Sequence, residues 1–296
     1  MELKKVKGNT YSISPDFIDL GLYRLNQKHC LLIDSGFHKT VKNEIIPFME
    51  MNDLTVKGVL CTHGHIDHAG GNNLLKLTYG AQIAAPYVEN MLGENSYNMY
   101  VLSDNLRFRV FGDTIPSFSY KTDIVINPDY TDFYFLGVDF QIIKIYGHSP
   151  YQVGYITPDN VAYLGDVLLS ERMIQITKLP YIFDVGNDLA SKKNLKALEC
   201  DKYILSHEGI YDKIDSLIDQ NIDHINSRIE ILLDILKQPK CFEDYTAEIV
   251  NKLEINADLR KIVYLQRTAR SYLSYFQENN LVDAYLDNNR ILFLKK

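Results

Sequence analysis

Apolar residues in the first two-thirds of the chain come in short runs, at 10–14, 17–25, 29–33 and 56–61, and again at 124–126, 138–146, 152–157, 161–165 and 202–206. Runs of this length, rich in branched aliphatics and Tyr and bounded by turn-forming residues, predict β-strands. Segments 40–51 and 70–79 instead carry the periodicity of amphipathic helices. Strands interleaved with helices predict an α/β domain over 1–211. Beyond it the rhythm changes. Ile214, Leu217, Ile218, Ile222, Ile225, Ile229, Leu232 and Leu233 recur every three or four residues, which predicts one long helix. Helices near 243–253 and 258–278, then two β-rich runs around an Asp-Asn-Asn turn, complete a second unit over 212–296.

Composition narrows the class. With 46% hydrophobic and 23% charged residues in 296, the chain is an ordinary globular one, large enough for a domain and a smaller appendage. It has no apolar run of about 18 residues, and its first residues lack the apolar centre of a signal peptide; a cytoplasmic protein without membrane contact is expected. Cys30, Cys61, Cys200 and Cys241 form no Cys-x-x-Cys unit and predict reduced, mostly buried thiols. The net charge of −7 argues against a protein built to grip nucleic acid. The second unit does not reverse that, with 12 basic against 14 acidic side chains.

The chemistry is concentrated at 60–70. Directly after an apolar run come His63, His65, Asp67 and His68. On a chain leaving a strand, His63 and His65 project to one side and Asp67 and His68 fall on the following turn, so one loop could serve two metal ions. His148, Asp166 and His207 each stand just past a later apolar run. Together they supply the remaining ligands that a pair of divalent cations requires.

These residues resemble the motifs of the metallo-β-lactamase-fold hydrolases: His-x-His-x-Asp-His at 63–68, Gly147-His148-Ser149-Pro150, Gly165-Asp166 and Ser206-His207. The resemblance spans about residues 6–211 and implies an αββα sandwich. It implies that His63, His65 and His148 bind a first metal, Asp67, His68 and His207 a second, and that Asp166 bridges them. The helices and hairpin of 212–296 resemble a winged-helix appendage, which either walls the cleft or makes a homodimer contact. Asp34, in Leu31-Leu32-Ile33-Asp34-Ser35-Gly36, is expected in a turn or supporting a ligand, without touching metal. Many relatives have Gly where Tyr151 stands; its ring either supplies a phenolic donor to substrate or packs on the loop. Segment 93–123, with Tyr97, Tyr100, Phe108, Phe111, Phe118, Tyr120, Arg107 and Arg109, is expected to be a lid or pocket wall.

Two divalent metals, zinc by the His and Asp donor set, with iron and manganese as alternatives, would hold a bridging hydroxide as nucleophile, with Asp67 orienting it. The expected activity is hydrolysis of a small-molecule ester, thioester or lactone. The alternative is a winged-helix phosphodiesterase or nuclease using Arg267, Arg270 and Arg290 as phosphate contacts. A redox di-iron protein is a third reading.

Overall fold

The computed structural model describes residues 1–95, 97–98 and 119–296. Strands β1 (Leu3–Lys7), β2 (Thr10–Ile13), β3 (Leu20–Arg24), β4 (His29–Ile33), β5 (Thr55–Leu60), β6 (Gln82–Pro86) and β7 (Ile124–Ile126) form one sheet in sequence order. Its first four strands are antiparallel, and β4 to β7 run parallel. Strands β8 (Asp132–Phe135), β9 (Val138–Lys144), β10 (Val153–Ile156), β11 (Val161–Tyr163), β12 (Lys202–Ile204) and β13 (Ile210–Tyr211) form the second sheet.

Buried alternation on β4 explains the layering. Cys30 and Leu32 join the cluster under the helical stretch 38–51 and the helix Asn72–Tyr79, whereas Leu31 and Ile33 face Phe135, Phe140, Tyr155 and Tyr163 of the other sheet. A strand buried on both faces has this nearly continuous apolar run. On the outer face of the second sheet, Ala162, Leu164 and Leu205 pack against Leu195, Leu217 and Ile218. The result is the αββα sandwich.

The long helix Asp215–Ile235 serves two cores. Its first turns close the sandwich, and further along Ile225, Leu232 and Leu233 pack with the helices Phe242–Lys252 and Leu259–Glu278. Strands β14 (Val282–Asp287) and β15 (Arg290–Lys295) end the chain as a hairpin. Asn288 and Asn289 both have positive φ at its tip, as a two-residue hairpin turn requires. Ile182, Val185 and Leu189 share this C-terminal core, so the helical unit is anchored on the sandwich.

The hydrophobic pattern did not disclose β1, β6, β8, β13 or the helices Glu89–Glu94, Glu171–Ile176 and Val185–Leu195. The last has Asp188, Ser191 and Lys192 among its buried positions, which erases the apolar stripe. Of the expected lid, residues 96 and 99–118, including Tyr100, Arg107, Arg109, Phe108, Phe111 and Phe118, lie outside the described residues. At its flanks, Tyr120 is buried in the helix-side core and its amide bonds the Gly93 carbonyl at 2.7 Å. Among the described residues no helix is long and apolar enough to cross a membrane.

Candidate metal centre

Strand direction brings the ligand-bearing loops together. Strand β10 is antiparallel to both β9 and β11, and β11 is parallel to β12, so β9, β11 and β12 end at one edge. His148, Asp166 and His207 follow these three ends, and Asp34 and His63 follow the ends of the parallel pair β4 and β5. Ligand sites at the carboxyl ends of parallel strands are a general property of such sheets.

The loop after β5 turns at Gly64, where a Cβ would lie 2.7 Å from Leu92 and 2.9 Å from the Glu89 carbonyl oxygen. A short helix, Ile66–Ala69, then carries Asp67 and His68 inward. In the second loop Gly147 has φ +127°, and a Cβ there would meet the Asp188 backbone at 2.3 Å; only glycine allows His148 to approach.

All seven expected side chains converge. His63, His65 and His148 form one group, and Asp67, His68, Asp166 and His207 another, each offering ligand atoms within 4.8 Å of one another. In the first, His63 Nε2 and His148 Nε2 lie 2.9 and 3.0 Å from His65 Nδ1. One imidazole nitrogen has a single proton or lone pair for two neighbours. A cation shared by three lone pairs satisfies all three, and nitrogens around a tetrahedral zinc would sit about 3.3 Å apart. In the second group His68 Nε2 is 3.2 Å from Asp166 Oδ1, and both atoms are buried without a hydrogen bond. Asp166 Oδ2 lies 3.4 Å from His148 Nε2 and 3.5 Å from His207 Nε2, so this carboxylate faces both groups. Buried polar atoms left without partners and aimed at a common centre fit metal ions.

Asp34 organises the donors. It is fully buried with φ +62°, and it accepts from the Thr62 amide at 2.7 Å, the Thr62 hydroxyl at 2.8 Å and His68 Nδ1 at 2.8 Å. Having given its proton to Asp34, the Thr62 hydroxyl accepts from His63 Nδ1 at 2.9 Å. His207 Nδ1 donates to the Phe17 carbonyl at 3.1 Å. Each bond places a proton on Nδ1 and makes Nε2 the atom that would offer its lone pair to a metal ion.

Burial separates the two groups electrically. It drives the imidazoles of His63, His65 and His148 down, His148 to about 3, with neighbouring imidazoles adding to the effect. In the second group burial opposes charge, but Asp166 and Asp67 outweigh it, raising His68 and bringing His207 to about 10. The same attractions overcome burial at Asp67 and Asp166 and hold both carboxyls below the usual range.

Three contributors escaped the sequence reading. Buried Glu89 accepts from the Gly64 amide at 3.0 Å, the Ser149 hydroxyl at 2.5 Å and the Tyr151 amide at 2.9 Å, tying the two histidine loops together. It follows Val88, a β-branched residue at φ +69°, a strained position. Thr62 was the second. Tyr181, third, lies edge-on to His65 and His148 at 5.4 and 5.6 Å. The only signals were an acid after an unrecognised strand, a Thr just before the motif and an aromatic after Pro180.

Tyr151 sits elsewhere. Its ring packs against Tyr87 and Tyr146, at 5.7 and 5.2 Å, and its amide serves the centre through Glu89. The three arginines expected on phosphates have separate surroundings. Arg270 lies 4.0 Å over the Phe242 ring, and Arg290 bonds Cys241 Sγ and approaches Asp244 at 3.5 Å. Arg267 is near enough to the centre to help depress His65 and to oppose the burial that raises the Tyr181 phenol.

Among curated proteins, the chain is 29% identical over 145 residues to hydroxyacylglutathione hydrolase GloC of Haemophilus influenzae, covering 48% of this chain and 63% of that one. It is 26% identical over 159 residues to a hydroxyacylglutathione hydrolase of Vibrio campbellii, covering 53% and 50%. The chain thus spans between half and two-thirds of the length of these relatives. In fold it matches a metallo-beta-lactamase family protein from Thermus thermophilus, with TM-score 0.73, 16% identity and 94% of each chain covered. A beta-lactamase domain protein from Burkholderia ambifaria matches with TM-score 0.75 and 17% identity over 100% of this chain and 94% of that one. The family model described as the metallo-beta-lactamase superfamily matches residues 14–207. That span ends on His207 and contains every one of the seven converging side chains, and the chain belongs to the metallo-beta-lactamase superfamily.

Proposed function

We propose that the protein is a dinuclear metal-dependent hydrolase of small-molecule thioesters, with esters and lactones as related substrates. The observation that carries this reading is the two groups of ligand atoms with Asp166 facing both. His63, His65 and His148 would hold one ion, Asp67, His68 and His207 the other, and Asp166 would stand between them. The donor set has no thiolate and suits zinc. When bound, the ions supply Lewis acidity to activate water and to stabilise the oxyanion.

The chain's own residues then divide the work. Asp67 Oδ2 is turned to His68 and His207 at 3.6 and 3.5 Å, leaving Oδ1 to accept a hydrogen bond from the attacking water and orient it. Water adds to the carbonyl carbon, the C–S bond breaks, and the products are a carboxylate and a thiol with the protons shared between thiol and solvent. The Tyr181 ring covers His65 and His148 and limits access of further water. The unit 212–296 serves as a wall of this cleft: Tyr264, on its last helix, lies 6.4 Å from Tyr181. The name shared by the curated relatives supports the thioester class.

The test is a panel of thioesters, esters, lactones and phosphodiesters assayed on protein whose metal content is measured. Thioester turnover that tracks metal occupancy is expected. Fully loaded protein that turns over only phosphodiesters would replace this reading with the nuclease.

A further inference from the structure

A cavity of about 180 Å³ adjoins the centre and touches His148, Asp166 and His207, residues of both groups. The larger cavity beyond Tyr181, about 440 Å³, touches none of the seven. Of these two, the smaller is the one that adjoins the ligand residues. Its inner wall is made by Val167, Leu168, Leu169, Met173, Ile182 and Ile225, four of them at most 3% exposed.

Several polar groups in this wall bond within the chain. The Asn221 amide donates to the Leu169 and Leu217 carbonyls and accepts from the Leu169 amide, which uses both of its N–H donors within the chain. His224 Nε2 donates to the Thr177 carbonyl at 3.0 Å. Lys192 and Asp188 are paired with each other at 2.5 Å, one turn apart on one helix. A hydroxyl or charge held against the apolar wall would exchange water for hydrocarbon, which is costly. An alkyl chain would gain by the area it buries.

We infer that this cavity is an acyl subsite selecting unsubstituted, medium-length alkyl acyl groups, with the carbonyl at the metal ligands and the chain against Leu169, Met173 and Ile225. It rests on the hydrolase reading above. An apolar cavity of about 150 Å³ takes up benzene, so one of about 180 Å³ is enough for an acyl chain.

The experiment uses the metal-loaded full chain and N-acetylcysteamine thioesters of acetyl, butanoyl, hexanoyl and 2-hydroxyhexanoyl groups. From acetyl to hexanoyl, kcat/KM should rise about fourfold per methylene, and the 2-hydroxy group should lower the hexanoyl value about tenfold or more. Met173→Trp, which fills the cavity, should return the hexanoyl-to-acetyl ratio to near one; a misfolded fraction would lower both rates and leave the ratio. A retained ratio in that variant overturns the subsite. In parallel, calorimetry compares binding of acetate, butanoate and hexanoate, with affinity expected to climb with length. Turnover without a length gradient overturns the subsite and leaves the hydrolase standing. Graded carboxylate binding with no thioester turnover sustains the subsite and removes the hydrolase reading. Ungraded binding with no turnover overturns both.

Discussion

Asp34→Asn exchanges one buried carboxylate oxygen for an amide nitrogen at constant volume, so its consequence can be followed donor by donor. The remaining oxygen keeps the Thr62 amide, while the new NH2 group faces the Thr62 hydroxyl and His68 Nδ1, both donors to Asp34 in the parent. To avoid N–H against N–H, His68 must move its proton to Nε2, the atom that faces the centre. The Thr62 hydroxyl must turn to accept from the amide, and its proton then points at His63 Nδ1, pressing that ring toward the same wrong tautomer. Loss of such outer partners lowers metal affinity about 10- to 100-fold, or about 1.4–2.8 kcal/mol per ion. The metal-free protein loses two hydrogen bonds to a charged group, worth about 1.5–3 kcal/mol each. Zinc competition against a chromophoric chelator and thermal melts of metal-free protein measure the two effects. Zinc affinity within twofold of the parent, in a variant with normal circular dichroism, would refute the role given to Asp34.

Three further outcomes follow from the same geometry. Glu89→Gln keeps one oxygen for Ser149 and Tyr151 but turns an amide toward the Gly64 N–H; a loss of about 2 kcal/mol in unfolding free energy and weaker binding of the His63, His65 and His148 ion are expected, and a melt unchanged from the parent would dismiss the clamp. Asp166→Ala removes the carboxylate that faces both groups, and elemental analysis should find one ion per chain instead of two in a folded protein. Metal uptake should depend on pH in one group only. In metal-free protein His207 titrates at about 10 and His68 is also raised, so below that pH the second ion must displace protons, and its affinity should rise with pH by up to two decades per unit. His148, at about 3, and the lowered His63 and His65 are already neutral near pH 7, so the first ion should bind without proton release. Calorimetric titration in buffers of different ionisation enthalpy separates the two steps, and equal proton release in both would contradict the assignment.

The sequence by itself settled the α/β order, the helices and hairpin at the C-terminus, and the seven metal-ligand candidates. These are local signals: a period of two or three to four residues is visible in a short window, and four ligand-type side chains within His63–His68 are dense enough to stand out. Asp34 was also legible as a supporting residue from its place before Ser35 and Gly36. What supports the site from a distance was not legible. Glu89 joins Gly64 to Ser149 across 25 and 60 residues, and its carboxylate is informative only once the parallel and antiparallel pairings have set both loops at one edge. The same holds for Tyr181, whose neighbours His65 and His148 come from different sheets. The electrical division of the centre was likewise decided in three dimensions. His63 and His68 lie in one motif, yet burial among imidazoles lowers the first while Asp166 and Asp67 raise the second. A side chain's type is written in the sequence, but its protonation depends on the charges and solvent that folding places around it.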